Sequence, residues 1–168
     1  MARSPVMNFM KQQGFTQEPP DRATLRFKGL QFQPTIVGSM MLVAILTQSP
    51  AIFLLVSALL WLNVLVPAAN PFEKVYNRLV AQPRGRPLLT KAPGPRRFAQ
   101  GMAATFMLAA ALTLLQGWRA ASYVLQGLLA VAFAALLFGK FCLGAYVYHL
   151  LKGNVAFANG TCPWNDSA

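Results

Sequence analysis

The sequence is poor in charged side chains, and above all in acidic ones. Only 11% of its 168 residues are charged, whereas soluble domains carry about 25%. Asp and Glu together number four, against 15 Lys and Arg, while 55% of the residues are hydrophobic. So little charge cannot cover a protein surface with water-facing groups, which argues against a soluble domain of ordinary composition.

Cysteine and histidine are scarce as well. The two cysteines, Cys142 and Cys162, make no disulfide framework, and one histidine cannot complete a Cys/His zinc cluster. Phosphate-binding glycine loops and the HExxH metal motif are also missing from the sequence. The sequence therefore gives no positive indication of catalysis or of a bound metal.

Long apolar runs stand in place of the missing charges. They cover residues 34–46, 51–66, 98–115 and 120–151. A membrane-spanning helix needs roughly 17–25 apolar residues, so the first two runs suffice only if their flanking residues lie at headgroup level. The pattern predicts an all-α integral membrane protein with four transmembrane helices.

The fourth run is too long for one span. A helix over residues 120–151 would measure about 48 Å, against a hydrocarbon core of about 30 Å. Lys140 divides the run, so we expect the span to end near Gly139 and the helix to continue outside the membrane over 141–151. Lys140 is either a cation that snorkels to the interface, which we favour, or a buried functional charge.

The basic residues predict the orientation. Five precede Pro34 and seven lie in the loop 74–97, whereas the tip at 48–50 has none and the tip at 116–119 has one. Under the positive-inside rule both termini and the middle loop are cytoplasmic. The net charge of +11 therefore points to anionic lipid headgroups at the 74–97 loop, and we expect no nucleic-acid partner.

The two tips are short, so the spans should pair as two antiparallel hairpins. Short matches between the halves suggest a parallel pseudo-repeat. The middle loop should begin with a short helix at 71–80, opened by Pro71. The predicted segments are a cytoplasmic tail at 1–33, a first hairpin at 34–67, the basic loop at 68–97, a second hairpin with its helical extension at 98–151, and a cytoplasmic tail at 152–168.

Cys142 is the candidate for thiol chemistry. On a continuous helix it shares a face with Tyr146 and His149, and Lys140 or His149 could lower its pKa. Cys142 and His149 would be about 10 Å apart, too far for direct proton transfer, so a small side chain packed between helices is the favoured interpretation. Cys162 reaches Cys142 only if the tail folds back, and the cytoplasm disfavours a stable disulfide.

A few polar and small residues interrupt the apolar runs. Asn63, Gln100, Gln116 and Gln126 either line a substrate path or, as we favour, hydrogen-bond between helices at about 0.6 kcal/mol each. No span contains Asp or Glu, which removes the usual proton relay. A stripe with a period of four residues favours close helix packing, and it consists of Gly101, Thr105, Ala109 and Thr113.

Two segments resemble a known family. Arg97-Phe98-Ala99-Gln100 before the third span and Phe141-Cys142-Leu143-Gly144 after the fourth resemble the PRFAQ and FCLGC-x-x-Y patterns of a bacterial integral-membrane family of unknown function. The resemblance covers about residues 30–152 and implies a four-helix protein of the bacterial inner membrane. Members are sometimes suspected of thiol or sulfur chemistry because of paired cysteines. Here Ala145 replaces the second cysteine.

Three functions follow as alternatives. The favoured one is a non-enzymatic structural, assembly or accessory subunit of a larger membrane complex, because the small-residue stripe suits helix packing and the spans lack acids. The second is a thiol-dependent membrane protein that acts through Cys142. The third is a small transporter, with Asn63 and the glutamines as its polar path.

Overall fold

The computed structural model describes residues 5–16 and 20–162, and over these ranges the chain is helical with no strand. The predicted all-α class is thereby confirmed. Parts of the two predicted tails, at 1–4, 17–19 and 163–168, lie outside the described residues. The helices in chain order are α1 (Pro5–Gln12), α2 (Pro20–Leu30), α3 (Phe32–Thr47), α4 (Pro50–Leu65), α5 (Pro71–Tyr76), α6 (Gly94–Leu115), α7 (Arg119–Leu137), α8 (Leu143–Leu151) and α9 (Val155–Gly160).

Three helical segments in the described part of the chain are long and apolar enough to cross a membrane. They are Ala23–Thr47, which runs through α2 and α3, and the helices α6 and α7. The apolar helix α4 has 16 residues, about 24 Å of helix, and is shorter than a usual span. Length and composition thus indicate a membrane protein with three candidate spans, where the sequence predicts four.

The first span begins earlier than predicted. Gln31, between α2 and α3, has helical backbone angles of φ −76° and ψ −15°, so one 25-residue helical stretch runs from Ala23 to Thr47. We expected a polar tail up to residue 33. α2 begins within that predicted tail, at Pro20. A proline suits the first position of a helix, because the N–H that it lacks would have no partner there. The short first run is therefore lengthened by residues of mixed polarity.

The fourth apolar run does not form one continuous helix. α7 ends at Leu137, and Lys140 adopts the left-handed conformation with φ 51°. The Phe141 N–H then donates to the Ala135 carbonyl at 3.1 Å, which closes the helix end. A new helix, α8, starts at Leu143, so the predicted unbroken continuation of the helix beyond Gly139 is wrong.

The middle loop is helical from Pro71 to Ala81 and irregular beyond Arg84. The Asn70 side chain accepts hydrogen bonds from the N–H groups of Phe72 and Glu73, which caps α5. The helix widens to a π-turn over Asn77–Ala81. There the Asn77 amide exchanges two hydrogen bonds with the backbone of Leu89, at 2.7 and 2.9 Å, and so fastens the extended part of the loop.

The main apolar core lies between α3, α4, α6 and α7. The most extensive packing is between α4 and α6, where small side chains of α6 let the two backbones approach. The Ser57 hydroxyl of α4 donates to the Ala104 carbonyl of α6 at 2.8 Å. α6 also packs against α7 and α8, and α3 packs against α4 and α7. α6 is thus the central helix of the described chain.

The N-terminal segment is packed against the helices and is not a free tail. Phe9 and Met10 of α1 are fully buried. Phe9 stacks edge-on against Phe27 of α2 at 5.2 Å and belongs to a small cluster with Cys142. α1 therefore covers the region where α6 begins and where α7 gives way to α8.

Candidate functional site at Cys142

The start of α6 supplies the charged group of the site. Arg96 is 4% exposed, and its two terminal nitrogens donate to the Gln13 side chain at 2.9 Å and to the Leu30 carbonyl at 3.2 Å. Its Nε is buried without a partner among the described residues. Arg96 thereby holds α1 and the end of α2 against α6, and one of its N–H donors remains free.

Glu73 of α5 gives Arg96 an opposite charge nearby. Burial raises the pKa of the Glu73 carboxyl, while the Arg96 guanidinium and the Asn70 side chain lower it by smaller amounts. The neighbouring Arg97 has a different use, since its guanidinium donates to the Val64 carbonyl near the end of α4 at 2.7 Å. Two of the loop's basic residues therefore hold helix ends together and do not face solvent as free cations.

Gln100 lies one turn beyond Arg96 and forms a pair across helices. Its Nε2 donates to the Gln33 side chain of α3 at 3.0 Å, and both side chains are buried. The Gln100 Oε1 has no hydrogen-bond partner among the described residues. A buried amide oxygen without a partner costs free energy, which a bound molecule or a water could recover.

Cys142 stands directly before α8, in extended backbone conformation. Its N–H donates to the Gln12 side chain at 2.9 Å, and the residue is 4% exposed. Burial raises the pKa of the Cys142 thiol, because removing the charged thiolate from water costs more free energy than removing the neutral thiol. The Ala145 N–H, the Arg96 guanidinium and the Gln13 side chain lower the pKa by smaller amounts. The interpretation of Cys142 as a reactive thiol expects a lowered pKa, so the pKa shift in the structure has the opposite direction.

His149 does not act on Cys142 directly. Its Nε2 lies 3.0 Å from the Gln12 carbonyl oxygen, so Nε2 is the protonated nitrogen that donates. Its ring lies 4.7 Å from the ring of Phe157 in α9. The predicted shared face of Cys142, Tyr146 and His149 is therefore replaced by a connection through Gln12. Tyr146 points elsewhere and donates to the Asn159 side chain.

Neither Cys162 nor Lys140 is among the groups that shift the pKa of the Cys142 thiol. Both cysteines are free, and the Cys162 thiol donates to the Ala158 carbonyl at 3.6 Å within the α9 region. Burial raises the pKa of Cys162 too. The Lys140 ammonium lies 6.0 Å from the Phe27 ring centre. In the described residues no group of three or more His, Cys, Asp or Glu could hold a metal ion.

The polar groups meet at one end of a cavity of about 250 Å³. Residues of five helices line it, namely α3, α4, α6, α7 and α8, and its walls are otherwise apolar. Along α6 it extends from Arg96 to Phe106, about 15 Å at the rise of a helix. It is larger than the cavity of about 150 Å³ that suffices for benzene in an engineered protein. The polar residues that line it are Gln13, Gln33, Arg96, Gln100 and Cys142.

The other polar residues singled out in the sequence have separate positions. Gln126 is buried and exchanges hydrogen bonds with Gln48 at 3.0 and 3.2 Å, while also donating to Ser122 at 2.8 Å. Asn63 is 1% exposed, and neither polar atom of its side chain has a partner among the described residues. Gln116 is exposed at the end of α6. None of the three lines the cavity.

The small-residue stripe lies at the margin of the packed core. Gly101, Ala109 and Thr113 are half-buried and Thr105 is exposed. Both threonine hydroxyls donate to carbonyls of their own helix. The fully buried small residues of α6 lie outside this stripe and include Ala104, Ala110 and Ala111.

Sequence reasoning missed two contributors to the site, Gln12 and Gln13. The signal for them was present, since Val6, Phe9 and Met10 recur at helical spacing just before the two glutamines. Gln33 is the last residue of the predicted tail 1–33, directly before the first apolar run. Which partner each glutamine finds depends on helix packing and has no signature in the sequence.

A family model described as a domain of unknown function, DUF4395, matches residues 27–152. The chain belongs to the DUF4395 family. No curated protein matches the sequence, and no solved structure does. The DUF4395 segment contains every cavity-lining residue except Gln13, which lies upstream of it. The expected membership of a family of unknown function is thus confirmed, whereas the PRFAQ and FCLGC patterns stay a prediction.

Proposed function

We propose that this protein is a multi-pass membrane protein that binds a lipid-soluble ligand in the cavity beside Cys142. The observation that supports this most directly is the Gln100 Oε1, a buried acceptor without a partner among the described residues, on the wall of an apolar cavity. The Arg96 Nε, a second unpaired group, belongs to another residue of the same wall. Ligand sites commonly combine apolar walls with a few convergent polar groups.

The cavity changes the balance between the alternatives drawn from the sequence. The favoured accessory-subunit role has no need for a cavity, whereas a thiol-dependent role needs a place for a reactant beside Cys142. Cys142 lines the polar end of the cavity with Arg96, and its raised pKa keeps it protonated at neutral pH. We therefore assign Cys142 the role of a neutral, weakly hydrogen-bonding group that contacts the ligand head.

The membrane topology is part of the proposal. We place α3, α4, α6 and α7 across the bilayer as two antiparallel hairpins, with both termini and the basic loop in the cytoplasm of a bacterial cell. The short tips between α3 and α4 and between α6 and α7 support the hairpins. The 16-residue α4 then spans a locally thinned bilayer, which costs only a fraction of a kcal/mol per Å of mismatch.

The test of ligand binding is native mass spectrometry of protein purified with its lipids. Wild-type protein should retain a small molecule, and Ala132→Phe should lose it because Ala132 lines the cavity. Ala134→Phe is the matched control, since Ala134 is exposed on the same helix. The same bound molecules in wild type and Ala132→Phe would refute the proposal, as would their absence from both.

An accessory-subunit role remains as a second candidate because of one surface. Gly101 and Thr105 line a shallow groove on α6 together with Trp61 of α4 and Phe98. Small residues at such a groove let a partner helix approach closely. Gly101→Leu should then release a membrane partner from the tagged protein, whereas Gly127→Leu, at an exposed position with open space around it, should retain the partner. Purification of a lone monomer from native membranes would contradict this role.

A further inference from the structure

The two ends of the cavity face different surroundings. At one end Leu128 and Val131 of α7 line it while being 55% and 70% exposed. Leu128 and Val131 belong to the candidate span α7, so in the proposed topology this exposed surface faces lipid. At the other end Arg96 and Cys142 are each 4% exposed. The cavity therefore has an apolar mouth on the lipid side and a polar, enclosed end.

The α1 segment encloses the polar end. Gln12 is fully buried and binds the Cys142 N–H through its side chain, and its backbone carbonyl accepts from His149. Gln13 is 3% exposed and accepts from Arg96. Phe9, with no exposed surface, packs in the same cluster as Cys142. Water would have to displace this segment in order to reach the thiol.

Resting on the function proposed above, we propose that the ligand is an acyl-chain amphiphile that enters from the bilayer past Leu128 and Val131 of α7, with an oxygen-acceptor head. The head, a carboxylate or a neutral carbonyl, accepts from the free Arg96 N–H. It can also accept from the Gln100 amide once that amide and Gln33 exchange donor and acceptor roles. The chain follows α6 past Phe106 towards the exposed mouth.

The geometry matches such a molecule better than it matches an alkane or a water-soluble ligand. An alkane would leave the Arg96 and Gln100 groups unpaired in an apolar wall, at a cost. A water-soluble ligand would have to pass the buried side chains of α1. The volume of about 250 Å³ holds the head and part of the chain, and the remainder extends through the mouth into lipid.

The entry route is tested by thiol labelling in lipid nanodiscs, where both aqueous faces are open. In the Cys162→Ser background Cys142 is the single thiol. A maleimide with an alkyl chain should modify Cys142 at least tenfold faster than a sulfonated maleimide. Arg84→Cys in a background without Cys142 and Cys162 is the control, because this exposed site should react readily with the sulfonated reagent. Equal rates at Cys142, or no reaction with either reagent before unfolding, would overturn the route.

The head group is tested by protection of Cys142 from the alkyl maleimide. Dodecanoate or methyl dodecanoate should slow the reaction severalfold, and the more effective of the two tells a carboxylate head from a neutral carbonyl. Dodecane should not protect, and Gln100→Leu should weaken the protection. Protection by dodecane equal to that of the headed compounds would refute the head assignment. If mass spectrometry finds a ligand but the sulfonated maleimide modifies Cys142 rapidly, only the entry route is refuted. If the alkyl maleimide reaches Cys142 selectively but no bound ligand is found, only the proposed function is refuted.

Discussion

Gly144 at the start of α8 lies directly on Ala99 of α6. A Cβ atom added to Gly144 would be 2.6 Å from the Ala99 Cα and 2.7 Å from its Cβ. The two segments on which the family resemblance rests, 97–100 and 141–144, thus meet at this contact. The contact sets the separation of α6 and α8, and with it the positions of Arg96 and Cys142 at the polar end of the cavity.

Gly144→Ala should destabilise the protein by about 1–3 kcal/mol, the usual cost of overpacking, because the clash involves backbone that cannot rotate away. The thermal midpoint in detergent measures the effect. Gly127→Ala serves as control, since a Cβ there meets nothing within 4 Å and alanine favours the helix. A Gly144→Ala variant as stable as Gly127→Ala would contradict the close contact.

The reciprocal amide pair of Gln48 and Gln126 should couple the α3–α4 tip to α7. Each single change to Leu removes a hydrogen-bonding partner from the other amide, which is buried for Gln126 and half-buried for Gln48, so the double variant should be less destabilised than the sum of the singles. We expect a coupling free energy of about 0.6 kcal/mol, and at most about 2 kcal/mol. A denaturant titration of the four proteins measures it. Strict additivity would mean that the pair does not form.

The raised pKa of Cys142 predicts a loss of stability at alkaline pH. An unfolded thiol ionises near pH 8.5, whereas the buried one resists ionisation. Its contribution is fully present below that pH and is lost as the pH rises through the folded-state pKa. In the Cys162→Ser background, the thermal midpoint should fall between pH 7.5 and 10 more steeply with Cys142 than with Cys142→Ala. Parallel curves for the two proteins would contradict the pKa direction.

The proposed topology predicts which loops a membrane-impermeant maleimide can reach from outside intact cells. Trp118→Cys, at the exposed α6–α7 tip, should be labelled in a background without Cys142 and Cys162. Arg84→Cys, in the exposed basic loop, should be labelled only after permeabilisation. The reverse pattern would invert the orientation, and labelling of both in intact cells would refute the placement of the spans.

Anionic lipid should bind at the exposed part of the basic loop. The side chains of Lys74, Arg78, Arg84 and Lys91 are exposed there. Each contributes about 1 kcal/mol near a charged surface, so changing all four to Gln should reduce the excess of anionic over zwitterionic lipid retained on purification by at least tenfold. Arg119→Gln, at the opposite tip, should leave the ratio unchanged. Lipid mass spectrometry provides the readout.

Much of the fold follows from the sequence, because apolar runs and prolines act locally. The starts of α4 at Pro50 and α5 at Pro71 coincide with prolines, which suit a first helical turn. The break after α7 was not foreseen, since it depends on Lys140 adopting a left-handed conformation that favours glycine. The predicted length of the first span was too short, because polar residues such as Lys28 interrupt the apolar pattern at the start of its helix.

The site was foreseen only in part. Cys142, Gln100, Arg97 and Arg96 stood out through composition and resemblance, but Gln12 and Gln13 did not. Gln12 and Cys142 are 130 positions apart and meet only because α1 packs onto the start of α8. A pairing over such a separation has no periodicity that a sequence could reveal.

The sequence by itself determined the helical class of the fold and indicated a membrane protein. Few charges and long apolar runs suit helices that cross a membrane, because a helix pairs its own backbone polar groups. Tertiary structure decided that Arg96, Gln100 and Cys142 converge on one cavity and that α1 closes its polar end. The physical reason is the separation along the chain between hydrogen-bonding partners. Within a helix the backbone groups pair with residues a few positions away, whereas buried side chains find their partners on helices that are distant in the chain.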